Sequence, residues 1–541
     1  MRIKSIEIKN FKCLGPEPVS LNFSDDIIVL IGENNVGKSS VLQAINYFFS
    51  GKNIPIEFFY NKVADELHPL EITIEFDNLS DEDLEHKVVH PYAFKQEGNY
   101  AWKLKKKYFQ KEDGSMDRKY FAFDGNDWKE NPSGWRQTCD DLFTEEKMQT
   151  VFIEAVKEVA DTTKPSTRSA SVFQQLFNII LQPKLQNKAE YKALIKALKN
   201  YDKLFESNSK LDEISNLENE ISSRWSRIIN AKGIIISSPP SEDALLPTPQ
   251  LVTNDSRDID VLPEHQGHGM QRSIIFSLLE LLGESKSPTT KLVGPRNLIL
   301  IEEPEIYMHP QMERKIADTL YNIATNGKAQ VICSTHSPIF IRIAEKHKAL
   351  IRMIRCSDNT LCVIQKGELF SGADREDKRR RLQMIINFDP SVNEAFFAKK
   401  VVLVEGDTEI AVFKEAAELL DYFDTEEKYH KKRDTTFINC RGKWTIAAFQ
   451  EVLNHFGIDY VVIHDKDETS EEAGANGRIL DYLGGDETRR KLFDKKIETI
   501  LKLTYTGKQK PIKALERVHE LDNLGQLESA IGEYVKFAYG V

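Results

Sequence analysis

Apolar residues along this chain fall into three patterns. Short continuous runs rich in β-branched residues recur at Ile27–Ile31, Leu298–Ile301, Gln330–Cys333, Lys399–Val404 and Tyr460–Ile463. Each has the length of a strand buried on both faces, and each stops at glycine or at polar and acidic residues. Strict alternation marks the opening MRIKSIEIKNF, then Glu71–Phe76, Tyr100–Leu104 and Lys119–Phe123. These predict an antiparallel lobe beside a buried core. Between about 143 and 230 the period becomes helical, with Leu194, Leu198, Tyr201, Leu204, Leu211, Ile214, Leu217, Ile221, Trp225 and Ile228 mostly three or four apart. Such a stripe on otherwise charged helices seeks a partner, either within the chain or in a second copy.

The breaks between these patterns set the organisation. Ser238-Pro-Pro-Ser closes the helical insert, and a polar loop runs on to about 262. The charged helical stretch Arg375–Arg381 reads as a solvated connector. The domains expected are 1–142, an N-terminal part with the antiparallel lobe; 143–235, the helical insertion and a dimerisation candidate; 236–390, the return to the core; and 391–541, a second α/β unit. A chain of 541 residues has room for these cores.

Composition narrows the classes. A net charge of -11 argues against a wholly basic nucleic-acid coat, so any DNA contact must be a local patch. Lys103, Lys105, Lys106 and Lys107, interleaved with Trp102 and Tyr108, could be such a patch, but a solvated strand face is the favoured reading. The six cysteines form no CxxC pair, as expected of reduced thiols in a cytoplasmic protein without a zinc site or disulfide frame. The N-terminus alternates instead of forming a signal peptide, and no apolar run approaches the roughly 20 residues of a membrane helix.

The first chemistry lies at Gly32-Glu-Asn-Asn-Val-Gly37-Lys38-Ser39, between a buried strand and an apolar helix. This is the phosphate-loop pattern GxxxxGKS in its required context. Glycines at both ends let backbone N–H groups face phosphates, and the helix N-terminus favours anions. Lys38 supplies charge for the β- and γ-phosphates and the Ser39 hydroxyl can ligate Mg²⁺. Gly32, Asn34, Asn35, Gly37, Lys38, Ser39 and Ser40 are the candidate ATP-binding residues. Further on, Leu298–Ile301 ends in Glu302-Glu303-Pro304-Glu305, and Gln330–Cys333 ends in Ser334-Thr335-His336-Ser337. Glu302 at a strand tip can hold Mg²⁺ through water, Glu303 can polarise the attacking water, and His336 can reach the γ-phosphate. Gly267-His-Gly-Met-Gln-Arg272 opens a long apolar helix, so its backbone, with Gly269 and Gln271, can face the γ-phosphate of a second subunit. In this order, Asn10-Phe11-Lys12, the phosphate loop, GxGxQR, EEPE and STHS resemble the ABC-type ATPase head of SMC/RecF-like proteins. The resemblance implies that Lys12 also approaches the nucleotide and that two heads sandwich two ATP, making the protein a homodimer or higher oligomer.

A second site is carried by alternating βαβ units after residue 399. Such units build a parallel sheet whose carboxyl edge binds ligands. Glu405 and Glu409, four apart, share a face of one loop-to-helix junction, and Asp465 and Asp467 alternate on the next extended segment. Converging carboxylates repel until a hard cation joins them, and oxygen-only ligation favours Mg²⁺ or Mn²⁺. Two ions roughly 4 Å apart would clamp the attacking and leaving oxygens of a phosphodiester. The pattern VEGxxE…G…DxD resembles the Toprim domain, a Rossmann-like fold with a parallel sheet. A Toprim domain behind an ABC-type P-loop ATPase head resembles the OLD (overcoming lysogenization defect) family, ATP-dependent nucleases of phage-defence systems of the Gabija kind. That resemblance implies Glu405 in metal binding or as general base, with Glu409, Asp465 and Asp467 as metal ligands. It also implies a further acid and a lysine near the C-terminus, for which Glu528 and Lys536 are the candidates. The expected activity is a divalent-metal-dependent DNA endonuclease or nickase governed by ATP. Relatives act with helicases or reverse-transcriptase–RNA assemblies, so such a partner is expected without being specified. The alternatives are an ATP-driven scaffold with an inert Toprim half, or a topoisomerase- or primase-like enzyme, for which the chain has little further room.

Overall fold

The computed structural model describes residues 1–130, 135–143, 148, 150–155, 172, 176, 188–203, 211–212, 215–216, 253–254, 260–261, 267–284, 297–356, 360–365, 367–370, 372, 374–423, 435–466, 470–494, 496–503, 509–521 and 523–540. They fall into two compact units, one of residues 1–150 with 293–541 and one of residues 151–292. No helix among the described residues is long and apolar enough to cross a membrane.

The first unit begins with β1 (Arg2–Lys9), β2 (Val19–Asn22), β3 (Ile27–Gly32) and α1 (Lys38–Phe49). β4 (Leu70–Asp77), β5 (Phe94–Gln96), β6 (Asn99–Gln110), β7 (Met116–Phe123) and β8 (Trp128–Glu130) follow. They build an antiparallel sheet of order β2-β1-β4-β6-β7-β8, with β5 beside β6. Alternation in β1 is interrupted between Ile3 and Ile6, and a register shift at Ile3/Ser5 brings both isoleucines inward.

The basic cluster on β6 divides by the same period of two. Lys105 and Lys107 face outward and reach Glu71 at 3.4 and 2.8 Å. Lys106 faces inward and is fully buried, correcting the reading of the whole cluster as a solvated face. Its Nζ donates to Phe48 O at 2.7 Å and to Asp140 Oδ1 at 3.1 Å. Asp140, in α2 (Trp135–Asp141), also accepts from Arg118 Nη2 and from the Tyr120 hydroxyl, each at 2.7 Å. Burial pushes the Lys106 pKa down, against the charge of Asp140. A buried cation needs such a partner.

The second sheet holds β9 (Asn297–Glu302), β10 (Ala329–Ser334), β11 (Leu350–Arg355) and β12 (Leu361–Ile364), with α3 (Pro310–Thr325) between β9 and β10. Its strands run β12-β11-β3-β10-β9. They are parallel, except that β11 and β12 form an antiparallel hairpin. β3 and β10 are buried along their whole length, which is why they read as unbroken apolar runs. The hairpin brings Cys356 and Cys362 together as a disulfide with Cα atoms 5.9 Å apart, correcting the expectation of six free thiols. The reason is local: Cys356 N–H donates to Thr360 O at 2.9 Å, closing the turn.

α4 (Arg375–Phe388) departs from the solvated connector its charge suggested at one charged position. Lys378, 7% exposed, pairs with Glu451 at 2.7 Å and donates to the Tyr482 hydroxyl at 2.8 Å, while Leu382 and Ile385 are buried. Lys378 thus faces the next α/β layer, while Arg375, Glu376, Asp377, Arg379 and Arg380 are exposed, as the charge pattern predicted.

That layer is a four-stranded, wholly parallel sheet, with β13 (Lys400–Val404), β14 (Thr435–Asn439), β15 (Tyr460–Asp465) and β16 (Arg490–Phe493) in the order β14-β13-β15-β16. α5 (Asp407–Phe423), α6 (Lys443–His455) and α7 (Ser470–Tyr482) are its described long helices. Val402, Val404, Phe413 and Leu420 share one apolar cluster with Val518, Leu527, Ile531 and Val535 of the C-terminal helices. The last stretch of chain is thereby a wall of this sheet.

In the second unit, a helix spans Ala189–Lys203, a two-residue ladder pairs Thr253 with Val261, and a helix spans His268–Glu284. The stripe positions Leu204, Ile214, Leu217, Ile221, Trp225 and Ile228 lie outside the described residues, as does Ser238-Pro-Pro-Ser.

Candidate active sites

The phosphate loop is shaped by what surrounds it. Gly32 has φ +144°, and a Cβ there would stand 2.1 Å from Met353 O on β11. Gly37 has φ +111°, and a Cβ would stand 2.9 Å from Leu14 Cδ2 and 3.1 Å from Cys13 Sγ. Neither position accepts a side chain. Asn34 and Asn35 are exposed, Ser39 is half-buried, and Ser40 is buried with its Oγ 3.4 Å from Cys13 Sγ. Lys38 begins α1 and folds over its own loop, donating to Gly32 O at 2.9 Å and Glu33 O at 2.8 Å. Burial pulls its pKa down to about 8, with Glu303 and Glu305 opposing the shift. Lys12, at φ +53°, donates to Gln43 Oε1 of α1, and its Nζ stands 4.3 Å over the Phe58 ring.

Glu302 ends β9, buried opposite Ser334. Glu303 takes φ +42°, and its N–H donates to Ser334 O at 2.8 Å. That conformation is uncommon outside glycine and turns the carboxylate out of strand geometry. His336 Nε2 lies 3.9 Å from Glu303 Oε1. Burial lowers the His336 pKa, helped by Lys38 and opposed by Glu303. Glu305 binds the histidine turn from below, accepting from the His336 N–H at 2.6 Å and the Thr335 hydroxyl at 2.8 Å. Lys38, Glu303 and His336 thus share one locus. Glu305, to which no task was assigned from sequence, organises it; its signal was the last residue of Glu-Glu-Pro-Glu.

Gly269 and Gln271 belong to the second unit. Gln271 and Arg272 are each 2% exposed. Arg272 Nη2 donates to Glu154 O and Ala155 O at 3.2 and 2.9 Å, so the arginine anchors the helix start.

The other locus is the carboxyl edge of the four-stranded sheet. Glu405 follows β13, Glu409 lies in the first turn of α5, and Asp465 ends β15. The Asp465 backbone N–H donates to Glu405 Oε1 at 2.8 Å. Glu409 folds back over Gly406, where a Cβ would meet its Oε2 at 3.2 Å. Burial raises the Glu405 pKa to about 7, Asp465 and Glu409 adding to it and Lys443 opposing. Burial also raises Glu409 to about 7, with Asp465 and Glu498 adding. Glu498 is a further acid near this edge that the sequence reading did not single out. It stands just beyond β16, in the short helix Ile497–Ile500, and pairs with Lys510 at 3.0 Å. Its signal was position: it follows the fourth strand of the sheet whose other tips carry Glu405 and Asp465. Glu528 instead pairs with Lys536 at 2.9 Å on the C-terminal helices. Asp467 lies outside the described residues.

Among the described residues, no three histidine, cysteine, aspartate or glutamate side chains already form a metal cage. The donor chemistry nevertheless fits a hard cation. Glu405, Glu409 and Asp465 offer carboxylate oxygens, and the burial and mutual repulsion that raise the pKa of Glu405 and Glu409, only partly offset by Lys443, are what a bound divalent ion reverses.

Two family models match this chain. Residues 1–341 match the AAA ATPase domain, and residues 396–467 match the TOPRIM domain of overcoming lysogenization defect protein-like proteins. The Old nuclease of Escherichia phage P2 is 22% identical over 488 residues, covering 86% of this chain and 77% of that protein. The OLD nuclease of Thermus scotoductus is 24% identical over 508 residues, covering 90% and 85%. Among solved structures, an SmcHead bound to the C-winged helix domain of ScpA aligns with 68% of this chain and 98% of its own, at 12% identity and a TM-score of 0.40. With more than half its length matched, this chain belongs to the AAA ATPase domain family, and it carries an OLD-like TOPRIM domain behind that ATPase domain.

Proposed function

We propose that this protein binds and hydrolyses ATP at Lys38 and cuts DNA phosphodiester bonds, as an endonuclease or nickase, at the Glu405–Asp465 edge. The observation that carries the reading is the gathering of Glu405, Glu409 and Asp465 at one edge of a parallel sheet, behind a separate ATP-binding sheet. Relatives named nucleases span most of the chain.

At the ATP site, the loop amides and Lys38 hold the phosphates, while Lys12 adds a cation beside α1. Ser39 and Glu302 are the residues that would hold Mg²⁺ there. Glu303 orients and polarises the attacking water, and His336 senses the γ-phosphate. Asn34, Asn35 and Ser40 complete the loop, and Gly269 and Gln271 present a helix start to the nucleotide of a second copy. At the acidic edge, Glu405, Glu409, Asp465 and Asp467 would hold Mg²⁺ or Mn²⁺. Glu498 fits the position of the further acid better than Glu528. Bound there, a divalent ion supplies positive charge to the scissile phosphate and lowers the pKa of bound water. Glu405, bonded to the Asp465 main chain at the same edge, is the residue placed to take a proton from the attacking water. The cellular setting we propose is cytoplasmic phage defence, acting as a homodimer or larger assembly with a helicase or reverse-transcriptase–RNA partner.

The test is supercoiled plasmid incubated with Mg²⁺ or Mn²⁺, with and without ATP. Nicked or linear product that depends on metal is expected. Intact plasmid under every condition, on several DNA forms, would leave the scaffold reading in its place.

A further inference from the structure

Just past the tip of β14 stands an aromatic side chain that the fold leaves in the open. The strand ends at Asn439, and the chain passes through Cys440, Arg441 and Gly442 into α6. Cys440 N–H donates to Val404 O at 2.9 Å and Gly442 N–H to Glu405 O at 3.0 Å, so this bend lies against the main chain of the acidic edge. Asn439, 8% exposed, braces it: its amide donates to Asp407 Oδ1 at 2.6 Å, and its Oδ1 accepts from the Arg441 N–H at 2.8 Å. Lys443 then turns inward and is buried, its charge opposing the rise in the Glu405 pKa. Trp444 turns outward and is 37% exposed.

Among the described residues of this sheet and its helices, Trp444 is the one exposed aromatic side chain. A tryptophan carries a large apolar area, and where packing needs it the ring is covered, as Trp102 is on β6. Here the indole is seated on one side. A Cβ on Gly474 of α7 would stand 3.9 Å from its Cη2, ordinary contact distance, so the glycine leaves the ring partly uncovered. α7 is in turn tied to the tip of β15, since Asn476 Nδ2 donates to Lys466 O at 2.6 Å, one residue past Asp465. The ring therefore lies between a helix that starts at the β14 tip and a helix tied to the β15 tip. β13, which delivers Glu405, is the strand between those two.

An exposed indole beside Arg441 and Lys443 has the composition of a nucleic-acid stacking platform. Its position decides what it can stack. Two residues span at most about 7.6 Å, so Trp444 starts within one such step of the Gly442 that bonds to Glu405. A base that reaches the ring belongs to a nucleotide beside the phosphate at the acidic edge. Within a duplex a base is already stacked on both faces, whereas an unpaired base offers a face to an aromatic side chain. We propose that Trp444 is a specificity-determining residue that stacks an unpaired base next to the scissile phosphate, so that the Glu405–Asp465 edge cuts single-stranded or gapped DNA in preference to continuous duplex. This rests on the nuclease reading above.

The experiment compares kcat/KM in Mn²⁺ for one end-labelled sequence presented as a single strand, as a duplex with a short gap and as a continuous duplex. Wild type, Trp444→Phe and Trp444→Leu are measured, with ATP turnover and circular dichroism alongside. Wild type is expected to favour the single strand and the gapped duplex by at least about fivefold, the low end of what stacking one base is worth. Trp444→Leu keeps apolar bulk against Gly474 but has no ring, and should lose that preference, while Trp444→Phe should keep it to within about threefold. A packing role would move every substrate together and leave the ratios unchanged. Trp444→Leu with the wild-type ratio overturns the inference and leaves the nuclease reading standing, as does a wild type that cuts the three forms at one rate. If Trp444→Leu does not fold, quenching of tryptophan fluorescence by oligo(dT), with Ca²⁺ in place of Mn²⁺, decides: a quench that Trp444→Phe lacks supports the inference, and equal quenching in both overturns it. A wild type that cuts none of the three forms defeats the nuclease reading itself, and the inference falls with it.

Discussion

Asp465 and Glu405 are joined by a main-chain to side-chain hydrogen bond of 2.8 Å across the tips of two adjacent parallel strands. The bond places one oxygen of Glu405 and leaves the Asp465 carboxylate in the same electrostatic locus, which the raised Glu405 pKa records. Asp465→Ala and Glu405→Ala should each reduce metal-dependent cleavage by more than about 100-fold, above what loss of an outer ligand-orienting group costs. ATP turnover should survive, because Lys38, Glu302 and Glu303 lie on another sheet. Chelation by EDTA should stop cleavage in the same way. Asp465→Ala cutting at the wild-type rate in both Mg²⁺ and Mn²⁺ would remove this edge from the reaction.

Glu498 and Glu528 make opposite predictions. Glu498→Gln should weaken Mn²⁺ binding by about 10-fold or more, since it takes a charge from the acidic locus. Glu528→Gln breaks only the half-exposed pair with Lys536, worth no more than about 1 kcal/mol of stability. Calorimetric Mn²⁺ titration of both variants decides it; equal affinities would return Glu498 to a purely structural pairing with Lys510.

At the ATP site, Lys38→Ala should abolish nucleotide binding, because the loop amides alone leave the β- and γ-phosphate charge poorly balanced. Glu303→Gln should bind ATP but hydrolyse it at least about 100-fold more slowly, the scale of a lost general base. Filter binding and phosphate release separate the two effects. Unchanged turnover in Glu303→Gln would strip Glu303 of its task.

The proposed role of the Gly267–Arg272 helix start at the nucleotide of a second copy requires that the protein sediment as at least a dimer at micromolar concentration in the presence of ATP. A monomer both with and without ATP would contradict this arrangement.

Removal of Asp140 tests the buried network. Asp140→Ala strands the fully buried Lys106 and the nearly buried Arg118 without their shared anion. The cost should be about 3–5 kcal/mol, read as a lower urea midpoint at unchanged slope. Glu516→Ala, which breaks the exposed pair with Lys513, is the control and should cost under about 1 kcal/mol.

Much of this architecture was readable in the chain because it is periodic. Runs such as Ile27–Ile31 and Val401–Val404 are unbroken since helices and sheets cover both faces, and glycines such as Gly32 stand where only hydrogen fits. The acids Glu405, Glu409 and Asp465 were legible because strand ends in a βαβ array share one edge. What escaped was everything decided by distant pairing. Lys106 is inside because the strand's period places it opposite Lys105, and only Asp140, 34 residues later, makes that tolerable. Lys378 of α4 is buried because Glu451 waits on the neighbouring layer. Glu498 lacked a motif, having only the topological rank of its strand to mark it, and the Cys356–Cys362 bond needed the turn at Thr360 to be known first.

The cysteine inventory gives this protein a natural handle for labelling chemistry. With Cys356 and Cys362 joined, Cys139, Cys333 and Cys440 are buried, and Cys13 alone among the free thiols is half-buried. Its sulfur packs where a side chain on Gly37 would sit and touches Ser40, so it lies against the back of the phosphate loop. Thiolate reagents react according to access. A fluorescent maleimide should therefore mark one position, and its rate of attachment becomes a clock for how tightly the loop is closed, read in the native sequence without an engineered probe.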